Sequence, residues 1–590
     1  MRLKLIIGFI VLISLLLLSR VYYLSILSHE RFEKLSKENY IKRFYTTSSR
    51  GAIKDRNGKY LAINEVGFSI KVKPHLRSKK RFATVEDISK LVVKHFPQFK
   101  YEKLLKKYKR LDSAYKHNFV TLVDYIPYDD FFKHYTVFNS NDNIEIASVT
   151  RRKYIYKDVA AHILGYMGKT TQKDIEHDSY SKYFEKSGRT GIEKYYDKML
   201  RGTVGYQDVQ VNSLYEKLKV IDEVKAKHQD ISLTIDIELQ KYIHNLFRKK
   251  AGAVIVMDIN SGELLAAGSF PEFDNNIFVN GISHKNWRKI QDDFNHPFTN
   301  KLINGLYPPG SVMKMGVAVS FLENKINPNF KVYCTSDLQL GSRKFRCWKE
   351  KGHYTTGFIK AIRESCDDFF YKGSLKVGIN NIHQTLDRFG IGKKTGIDLP
   401  NEFSGINPNK EWKMRARKKP WYVGETVVSS IGQGFITVTP MQIARYTGAM
   451  ANNKLQTPHL LKDESLIETV DTNISARDLK IVDKGMFEVA NHPKGTASRY
   501  VKSKIKIGAK TGTAQVVGIP QSEKKRMKEY ELEYFKRSHA WLTTFGPYKD
   551  PQYVVTIIVE HGGHGGHAAG GIAGKIFDKL LELGYIKEKR

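Results

Sequence analysis

The chain has 590 residues, and its 41% hydrophobic and 12% aromatic content supports folded cores and excludes a chain that is disordered throughout. At this length several domains are predicted instead of one. The net charge of +36 would suit nucleic acid, but the cations are spread along the chain without a basic recognition motif. Anionic lipid surfaces are equally suitable partners, and we expect no nucleic-acid partner.

The first predicted element is a membrane-spanning helix. Residues 5–27 are apolar except for Arg20 and a few small polar side chains, and their 23 positions suffice to cross about 30 Å of hydrocarbon. Arg2 and Lys4 precede the span, which predicts a cytoplasmic N-terminus and an extracytoplasmic location for the rest of the chain. Residues 25–30 do not suit signal peptidase, so an uncleaved anchor is favoured over a removed signal peptide.

Residues 29–234 predict a mixed module of helices and strands. Short strand-like runs such as residues 68–72 alternate with charged helical stretches such as residues 100–105. None of its residues suggests catalysis, and Arg50, Asp55 and Arg56 are expected to form structural ion pairs.

A second domain is predicted from residue 235 onward, with Asp236 as the N-cap of its first helix. Hairpins near both ends of the domain, with helices between them, indicate an antiparallel sheet with helices on both faces. The predicted elements are a helix from residue 236, hairpins over 253–258 with 264–268 and over 539–545 with 553–559, and a helix over 572–583.

Ser311 and Lys314 form an S-x-x-K pair. Residues 307–310, which include two prolines and a glycine, interrupt regular secondary structure, and an apolar helix is predicted from Ser311 onward. Ser311 would then lie at the N-terminus of that helix, where negative charge is favoured. Lys314 lies on the same face, about 5–6 Å away between Cβ atoms. A serine needs a base to become a nucleophile, and a desolvated lysine is able to act as one. A capping serine with a surface lysine is the simpler alternative.

Two further elements follow along the chain. Ser365 comes after a predicted helix over residues 358–364, and its hydroxyl is able to relay a proton between Lys314 and a leaving amine.

Residues 504–510 alternate between polar and apolar side chains, which predicts a strand that ends at Lys510, and Lys510 is able to hold a carboxylate. The small residues that follow allow a peptide to lie against the strand, and one backbone N–H there is able to complete an oxyanion hole with that of Ser311. These residues are Thr511, Gly512 and Thr513.

The three cysteines, Cys334, Cys347 and Cys366, lie close together in sequence with His353 among them. An odd number cannot all form disulfides, and free thiols are a liability outside the cytoplasm. Three thiolates and one imidazole complete a tetrahedral zinc shell, which would hold Ser365 in place as a structural site. One disulfide and one buried thiol is the alternative.

The order of the three motifs, Ser311-x-x-Lys314, Ser365-Cys366-Asp367 and Lys510-Thr511-Gly512-Thr513, is that of penicillin-binding proteins and class A β-lactamases. The chain resembles the class B penicillin-binding proteins, and most closely their elongation branch. Asp367 replaces the commoner Asn, which leaves its role open and favours that branch. The resemblance covers nearly all of the chain, weakly over residues 70–150. The other matching segments are 49–58, 160–166, 188–193, 200–202, 418–422 and 430–434.

The resemblance implies an α+β chain with a single N-terminal transmembrane helix, an elongated pedestal and a penicillin-binding transpeptidase domain with an antiparallel sheet sandwiched by helices. The implied boundaries are 1–28 for the cytoplasmic tip and anchor, 29–234 for the pedestal of the dimerisation type, with a head insertion at about 75–148, and 235–590 for the transpeptidase domain. The implied location is the inner membrane, with the catalytic domain in the periplasm.

The resemblance also implies the activity of a peptidoglycan D,D-transpeptidase, which cross-links stem peptides during elongation and is acylated by β-lactams. The implied partners are a polytopic glycan polymerase and scaffold proteins of elongation, and no cofactor is needed for the chemistry. The implied catalytic residues are Ser311, Lys314, Ser365, Asp367, Lys510, Thr511, Gly512 and Thr513, of which Lys510, Thr511 and Thr513 also bind substrate. A carboxypeptidase or β-lactamase, which uses water as acceptor, and a β-lactam sensor are the alternatives.

Overall fold

In a computed structural model of the chain, the described residues are 2–113, 115, 118–212, 217–279, 281–518 and 528–587. They form two compact units. The first consists of Met1–Gly51, Lys169–Ser187 and Lys198–Gln229, and the second of Ala52–Gly168, Gly188–Asp197 and Asp230–Arg590.

The elements before residue 233 are mostly short. The helices are α1 (Arg2–Tyr22), α2 (His29–Tyr40), α3 (Lys79–His95), α4 (Tyr101–Leu111), α5 (Tyr128–Phe132), α6 (Tyr135–Asn139), α7 (Ala161–Leu164), α8 (Gln172–His177), α9 (Gly191–Tyr195) and α10 (Asp197–Arg201). The strands are β1 (Ile41–Thr47), β2 (Ile53–Lys54), β3 (Tyr60–Val72), β4 (Val120–Pro127), β5 (Ile144–Tyr154), β6 (Met167–Lys169), β7 (Lys186–Gly188), β8 (Val204–Val211), β9 (Lys217–Val224) and β10 (Ile231–Ser232).

The elements after residue 233 all belong to the second unit. The helices are α11 (Ile237–Phe247), α12 (His284–Gln291), α13 (Lys314–Glu323), α14 (Phe358–Arg363), α15 (Asp367–Val377), α16 (Ile379–Arg388), α17 (Lys410–Arg417), α18 (Val423–Ser429), α19 (Pro440–Asn452), α20 (Ala476–Asn491) and α21 (Gly565–Glu582). The strands are β11 (Gly252–Asp258), β12 (Leu264–Phe270), β13 (Val332–Cys334), β14 (Asp337–Leu340), β15 (Arg343–Arg346), β16 (Tyr354–Thr356), β17 (Lys454–Gln456), β18 (Thr469–Asp471), β19 (Gly508–Ala514), β20 (His539–Gly546) and β21 (Tyr553–Val559).

The first unit carries the apolar N-terminal helix. Among the described residues, Arg2–Leu27 is the one segment long and apolar enough to cross a membrane, with a mean hydropathy of 2.5 and no buried residue. This helix contains the predicted span and has the geometry of a single-pass membrane anchor. In the same unit, β1, β8 and β9 form an antiparallel sheet, and Arg43 on β1 pairs with Asp208 on β8 at 2.7 Å.

The N-terminal part of the second unit is a five-stranded sheet of β10, β2, β3, β4 and β5, in which β3 pairs with both β4 and β5. Helices α3 and α4 contribute Val92 and Tyr108 to its apolar core. The predicted strand at 68–72 lies in β3, and the predicted helix at 100–105 corresponds to the start of α4. Asp55 accepts backbone N–H groups instead of forming the predicted ion pair, whereas Arg56 pairs with Glu263 at 3.3 Å.

The main sheet of the second unit has the strand order β12-β11-β21-β20-β19, and all neighbouring strands are antiparallel. The two predicted hairpins are the β11–β12 and β20–β21 pairs. Every residue of β12 and β21 is buried, so helices must cover both faces of the sheet. Helices α11 and α21 contact each other and the sheet, and α19 packs against β11, β20 and β21. The predicted α+β architecture is confirmed.

The last helix begins earlier than predicted, at Gly565 instead of residue 572. Glycine has a low helix propensity, so the glycine-rich start gave no helical pattern in the sequence. The structure explains those glycines, since a Cβ at Gly565 would lie 1.9 Å from the carbonyl oxygen of Trp541. The first turn of α21 therefore packs directly against the backbone of β20.

Candidate active site

Ser311 lies in a short 3-10 turn, Gly310–Met313, and α13 begins only at Lys314. The prediction that the α-helix starts at Ser311 is therefore wrong by one turn. Gly310 has a φ of +56°, and its N–H donates to the carbonyl of Gly432 at 2.8 Å. A Cβ at Gly310 would lie 2.7 Å from the carbonyl oxygen of Thr513. Glycine at this position thus lets the turn approach β19 closely.

The segment Lys510–Thr513 lies within β19 and not after the end of a strand, which corrects the strand predicted over residues 504–510. Only residues 508–514 face β20, and a strand forms where a partner supplies hydrogen bonds. β19 is the last strand in the order of the main sheet. A Cβ at Gly512 would lie 3.1 Å from the carbonyl oxygen of Pro309, so the turn that carries Ser311 packs against this strand.

Two buried lysines meet at the hydroxyl group of Ser365. Lys314 Nζ donates to Ser365 Oγ at 3.2 Å, to the carbonyl oxygen of Ser365 at 3.0 Å and to Asp367 Oδ1 at 2.6 Å. Lys510 Nζ donates to the same hydroxyl at 3.0 Å and to the carbonyl oxygen of Thr511 at 3.0 Å. The structure therefore brings residues of all three predicted motifs together.

The ionisable side chains of this network, Lys314, Asp367 and Lys510, are buried. Burial and the neighbouring Lys314 ammonium lower the pKa of Lys510 well below its usual value, and Asp367 opposes that shift. Burial also raises the pKa of Asp367, against the attraction of Lys314. Two lysines share one carboxylate, so an anionic ligand beside Lys510 would stabilise its charged form and oppose the effect of burial.

Three contacts at the site involve two residues, Trp348 and Gln433, that we did not predict as site residues. The backbone N–H of Trp348 donates to Asp367 Oδ2 at 2.9 Å, and its indole N–H donates to the carbonyl oxygen of Ser365 at 3.0 Å. Gln433 Nε2 donates to the carbonyl oxygen of Thr513 at 3.3 Å. The available signals were the neighbouring Cys347 for Trp348 and, for Gln433, its place in the family-like segment 430–434.

The predicted metal ligands, Cys334, Cys347, His353 and Cys366, are all buried, and their ligand atoms lie within 4.8 Å of one another. His353 Nδ1 is 3.4 Å from the sulfur of Cys347 and 3.8 Å from that of Cys334. All three thiols are free. Three sulfurs and one imidazole nitrogen in a closed, buried set fit the requirements of a structural zinc ion.

The Cys/His cluster is joined to the lysine network. Cys366 lies between Ser365 and Asp367, and it occupies the N-cap position of α15. The N–H of Asp367 also points at the sulfur of Cys347, at 3.4 Å. The carboxylate that contacts Lys314 is therefore fixed by residues of the cluster.

Comparison with known proteins matches two families along the chain. Residues 252–582 match the penicillin binding protein transpeptidase domain, and residues 45–231 match the penicillin-binding protein dimerisation domain. Peptidoglycan D,D-transpeptidase MrdA of Haemophilus influenzae is 32% identical over 603 residues, which cover 97% of this chain and 90% of that protein. MrdA of Escherichia coli strain K12 is 34% identical over 603 residues, which cover 97% and 92%.

A solved structure agrees with these matches. The complex between penicillin-binding protein PBP2 and MreC from Helicobacter pylori contains a chain that is 40% identical, with a TM-score of 0.84 over 92% of this chain and 99% of that chain. The transpeptidase match spans more than half of the sequence, and the relatives are similar along nearly their whole lengths. The chain belongs to the class B penicillin-binding proteins.

Proposed function

We propose that this chain is a peptidoglycan D,D-transpeptidase that cross-links stem peptides during cell elongation through a serine acyl-enzyme, and that β-lactams acylate the same serine. The observation that carries the proposal is the meeting of Lys314 and Lys510 at the hydroxyl of Ser365, beside the turn of Ser311 and the strand β19. The activity named for the MrdA relatives agrees with it.

In the acylation step, Ser311 Oγ attacks the carbonyl carbon of the penultimate D-Ala, and the bond to the terminal D-Ala nitrogen breaks. Lys314, as the neutral amine, takes the proton of Ser311 and becomes an ammonium. A proton then passes from Lys314 through the hydroxyl of Ser365 to the leaving amine, which returns Lys314 to the neutral form. Asp367 has a positioning role, because its carboxylate holds Lys314 Nζ at 2.6 Å. In the second step, an amine of a neighbouring stem peptide attacks the ester, and Ser311 recovers its proton.

The substrate peptide is proposed to lie along β19 as an added strand. Lys510 and Thr511 bind the substrate, Lys510 through the terminal carboxylate of the peptide, while Gly512 lets the turn of Ser311 pack against β19. The N–H groups of Ser311 and Thr513 then stabilise the oxyanion of the tetrahedral intermediate. The close packing of Gly310 and Gly512 between these two segments supports this arrangement.

Mass spectrometry after treatment with penicillin tests the proposal directly. One adduct per chain is expected, on the peptide that contains Ser311, because this serine lies in the turn that packs against β19, three residues before Lys314. A chain pre-treated with unlabelled penicillin is the control and should take up no second label. An adduct on a different serine, or no adduct, would contradict the proposed function.

Replacement of Lys510 tests its role in binding the carboxylate. Lys510→Ala is expected to slow acylation by about one to two decades, since a hydrogen bond to a charged group contributes roughly 1.5–3 kcal/mol. Lys510→Arg should lose less, because the positive charge remains. Stopped-flow acylation by a fluorescent penicillin gives both rates, and equal rates for wild type and Lys510→Ala would refute the role.

We further propose that Cys334, Cys347, His353 and Cys366 hold one zinc ion. Its role would be structural, since four protein ligands leave no position for substrate, and no step of the acyl transfer needs it. The fit of the buried donor set, with all ligand atoms within 4.8 Å, supports this assignment.

The domain boundaries and location are proposed to be those that the resemblance implies. Residues 1–28 form a cytoplasmic tip and membrane anchor, 29–234 a pedestal with a head at about 75–148, and 235–590 the transpeptidase domain in the periplasm. Met1, which belongs to the tip, lies outside the described residues.

The proposed partners are also those that the resemblance implies. The relative from Helicobacter pylori is in complex with MreC, which supports a scaffold protein of this kind as partner. A polytopic glycan polymerase is the second proposed partner.

A further inference from the structure

The segment of residues 410–422, here called the cationic arm, carries charges that the proposed mechanism does not use. It contains six cationic residues and only one acidic residue, Glu411. Five of the cations are exposed, and none of the five forms an ion pair within the part of the chain that the structure describes. One is Lys410 at the start of the arm, and the other four lie together at its far end: Arg415, Arg417, Lys418 and Lys419.

The cationic arm is folded tightly on its own base. Lys413 is only 3% exposed, donates to the carbonyl of Pro420 at 2.7 Å and is ion-paired with Glu425. Its Nζ also lies 4.4 Å from the ring centroid of Tyr422. The indole N–H of Trp421 donates to the hydroxyl of Thr426 at 2.8 Å. The exposed cations are therefore presented on an ordered support, so binding to them requires little loss of backbone freedom.

The arm is connected directly to the wall of the active site. Helix α18 follows it and ends at Ser429, three residues before Gly432. Gly432 accepts the N–H of Gly310 at 2.8 Å, and Gln433 donates to the carbonyl of Thr513 at 3.3 Å. One short helix thus separates the arm from the residues that flank Ser311.

We propose that the cationic arm is a docking site for the polymeric substrate, an uncross-linked peptidoglycan strand whose stem peptides carry carboxylates. This inference rests on the proposed function and names a second contact for the same substrate. Charge complementarity supports it, because a repeating polyanion is able to engage several unpaired cations at once. Tyr422, which is 58% exposed, adds an aromatic surface beside them.

A purely structural role and a membrane contact would each use the same charges differently. Arg415 and Arg417 lie in the last turn of α17, where cations are favoured by the helix dipole, so in a purely structural role their loss would lower thermal stability and leave binding unchanged. Basic residues beside an exposed aromatic ring also suit an anionic membrane surface. The connection to the active-site wall favours the polymer over both.

The test compares two variants of the full-length protein with equal loss of charge. The arm variant changes four residues: Arg415→Gln, Arg417→Gln, Lys418→Gln and Lys419→Gln. The control variant changes four exposed residues of α4: Lys103→Gln, Lys106→Gln, Lys109→Gln and Arg110→Gln. Lys109 and Arg110 also lie in the last turn of their helix, so the control matches the dipole effect as well.

The measurement is the Kd for fluorescently labelled, uncross-linked peptidoglycan strands over a range of salt concentrations. We expect the Kd of the arm variant to be about tenfold higher at low salt, because several exposed ion pairs are lost together. Its Kd should also change less with salt concentration than that of the wild type. The control variant should bind within about twofold of the wild type, since α4 packs on the sheet of β3 and β4 and contributes no residue to the wall of the active site. Penicillin acylation of Ser311 should be unchanged in both, because none of the substituted residues belongs to the proposed catalytic or substrate-binding set.

The inference is overturned if the arm variant binds strands as tightly as the wild type, or if the control variant loses the same affinity. It is also overturned if the arm variant keeps the wild-type affinity for strands and loses only the preference for vesicles of anionic phospholipid over vesicles of neutral phospholipid. A wild type that binds strands through the arm while penicillin fails to label Ser311 would contradict the proposed function and leave the docking site standing.

Discussion

The variant Ser311→Ala is expected to show no covalent labelling by fluorescent penicillin. The change removes the attacking oxygen and one small polar group, so the turn Gly310–Met313 and its contact with β19 should persist. Cross-linking of stem peptides should fall by about six orders of magnitude, the loss found when the nucleophile of a serine acyl-transfer enzyme is removed. Gel fluorescence measures the labelling, and thermal unfolding of the same sample checks the fold.

Ser365→Ala is the matched control for this experiment. It also removes one hydroxyl from the network, but it leaves the proposed nucleophile in place. Lys314 and Lys510 both donate to the lost oxygen, so acylation should be slower and labelling should still reach Ser311. Covalent labelling of Ser311→Ala at another serine would show that the nucleophile has been assigned wrongly.

Removal of zinc is expected to destabilise the transpeptidase domain and to impair acylation together. Zinc should co-purify at about one ion per chain, as expected for a single four-ligand site. A structural zinc ion contributes directly to folding, so chelation should lower the temperature of unfolding. Acylation should also slow, because Cys366 is flanked by Ser365 and Asp367 and the N–H of Asp367 points at the sulfur of Cys347.

The cysteines of the cluster allow this prediction to be sharpened. Cys366→Ser should reduce the acylation rate more than Cys334→Ser, although both remove one zinc ligand. The reason is that Cys334 lies on β13, away in sequence from any proposed catalytic residue, whereas Cys366 adjoins two of them. Metal analysis and acylation rates of both variants give the comparison. Absence of zinc, with a disulfide among the three cysteines on a non-reducing peptide map, would establish the alternative instead.

The sequence alone was sufficient to locate the three motifs and the Cys/His set and to predict much of the architecture. The three motifs, the four-residue Cys/His set and the apolar N-terminal helix are local patterns, so their residue types and spacings are visible without a fold. The two hairpins of the main sheet were predicted for the same reason, since each joins strands that are close in sequence. The main sheet and its helix layers followed from them.

Only the tertiary structure decided how these groups meet. Lys510 contacts Ser365 across 145 residues, and no periodicity in the sequence encodes that contact. The extent of β19 depends on its pairing with β20, which is why the alternation of residues 504–507 misled the prediction. Likewise, Trp348 contacts the carboxylate of Asp367 through its backbone N–H, a group that every residue except proline carries. Pairing and packing between distant segments therefore determined the geometry of the site, because a hydrogen bond forms only where folding brings its donor and acceptor together.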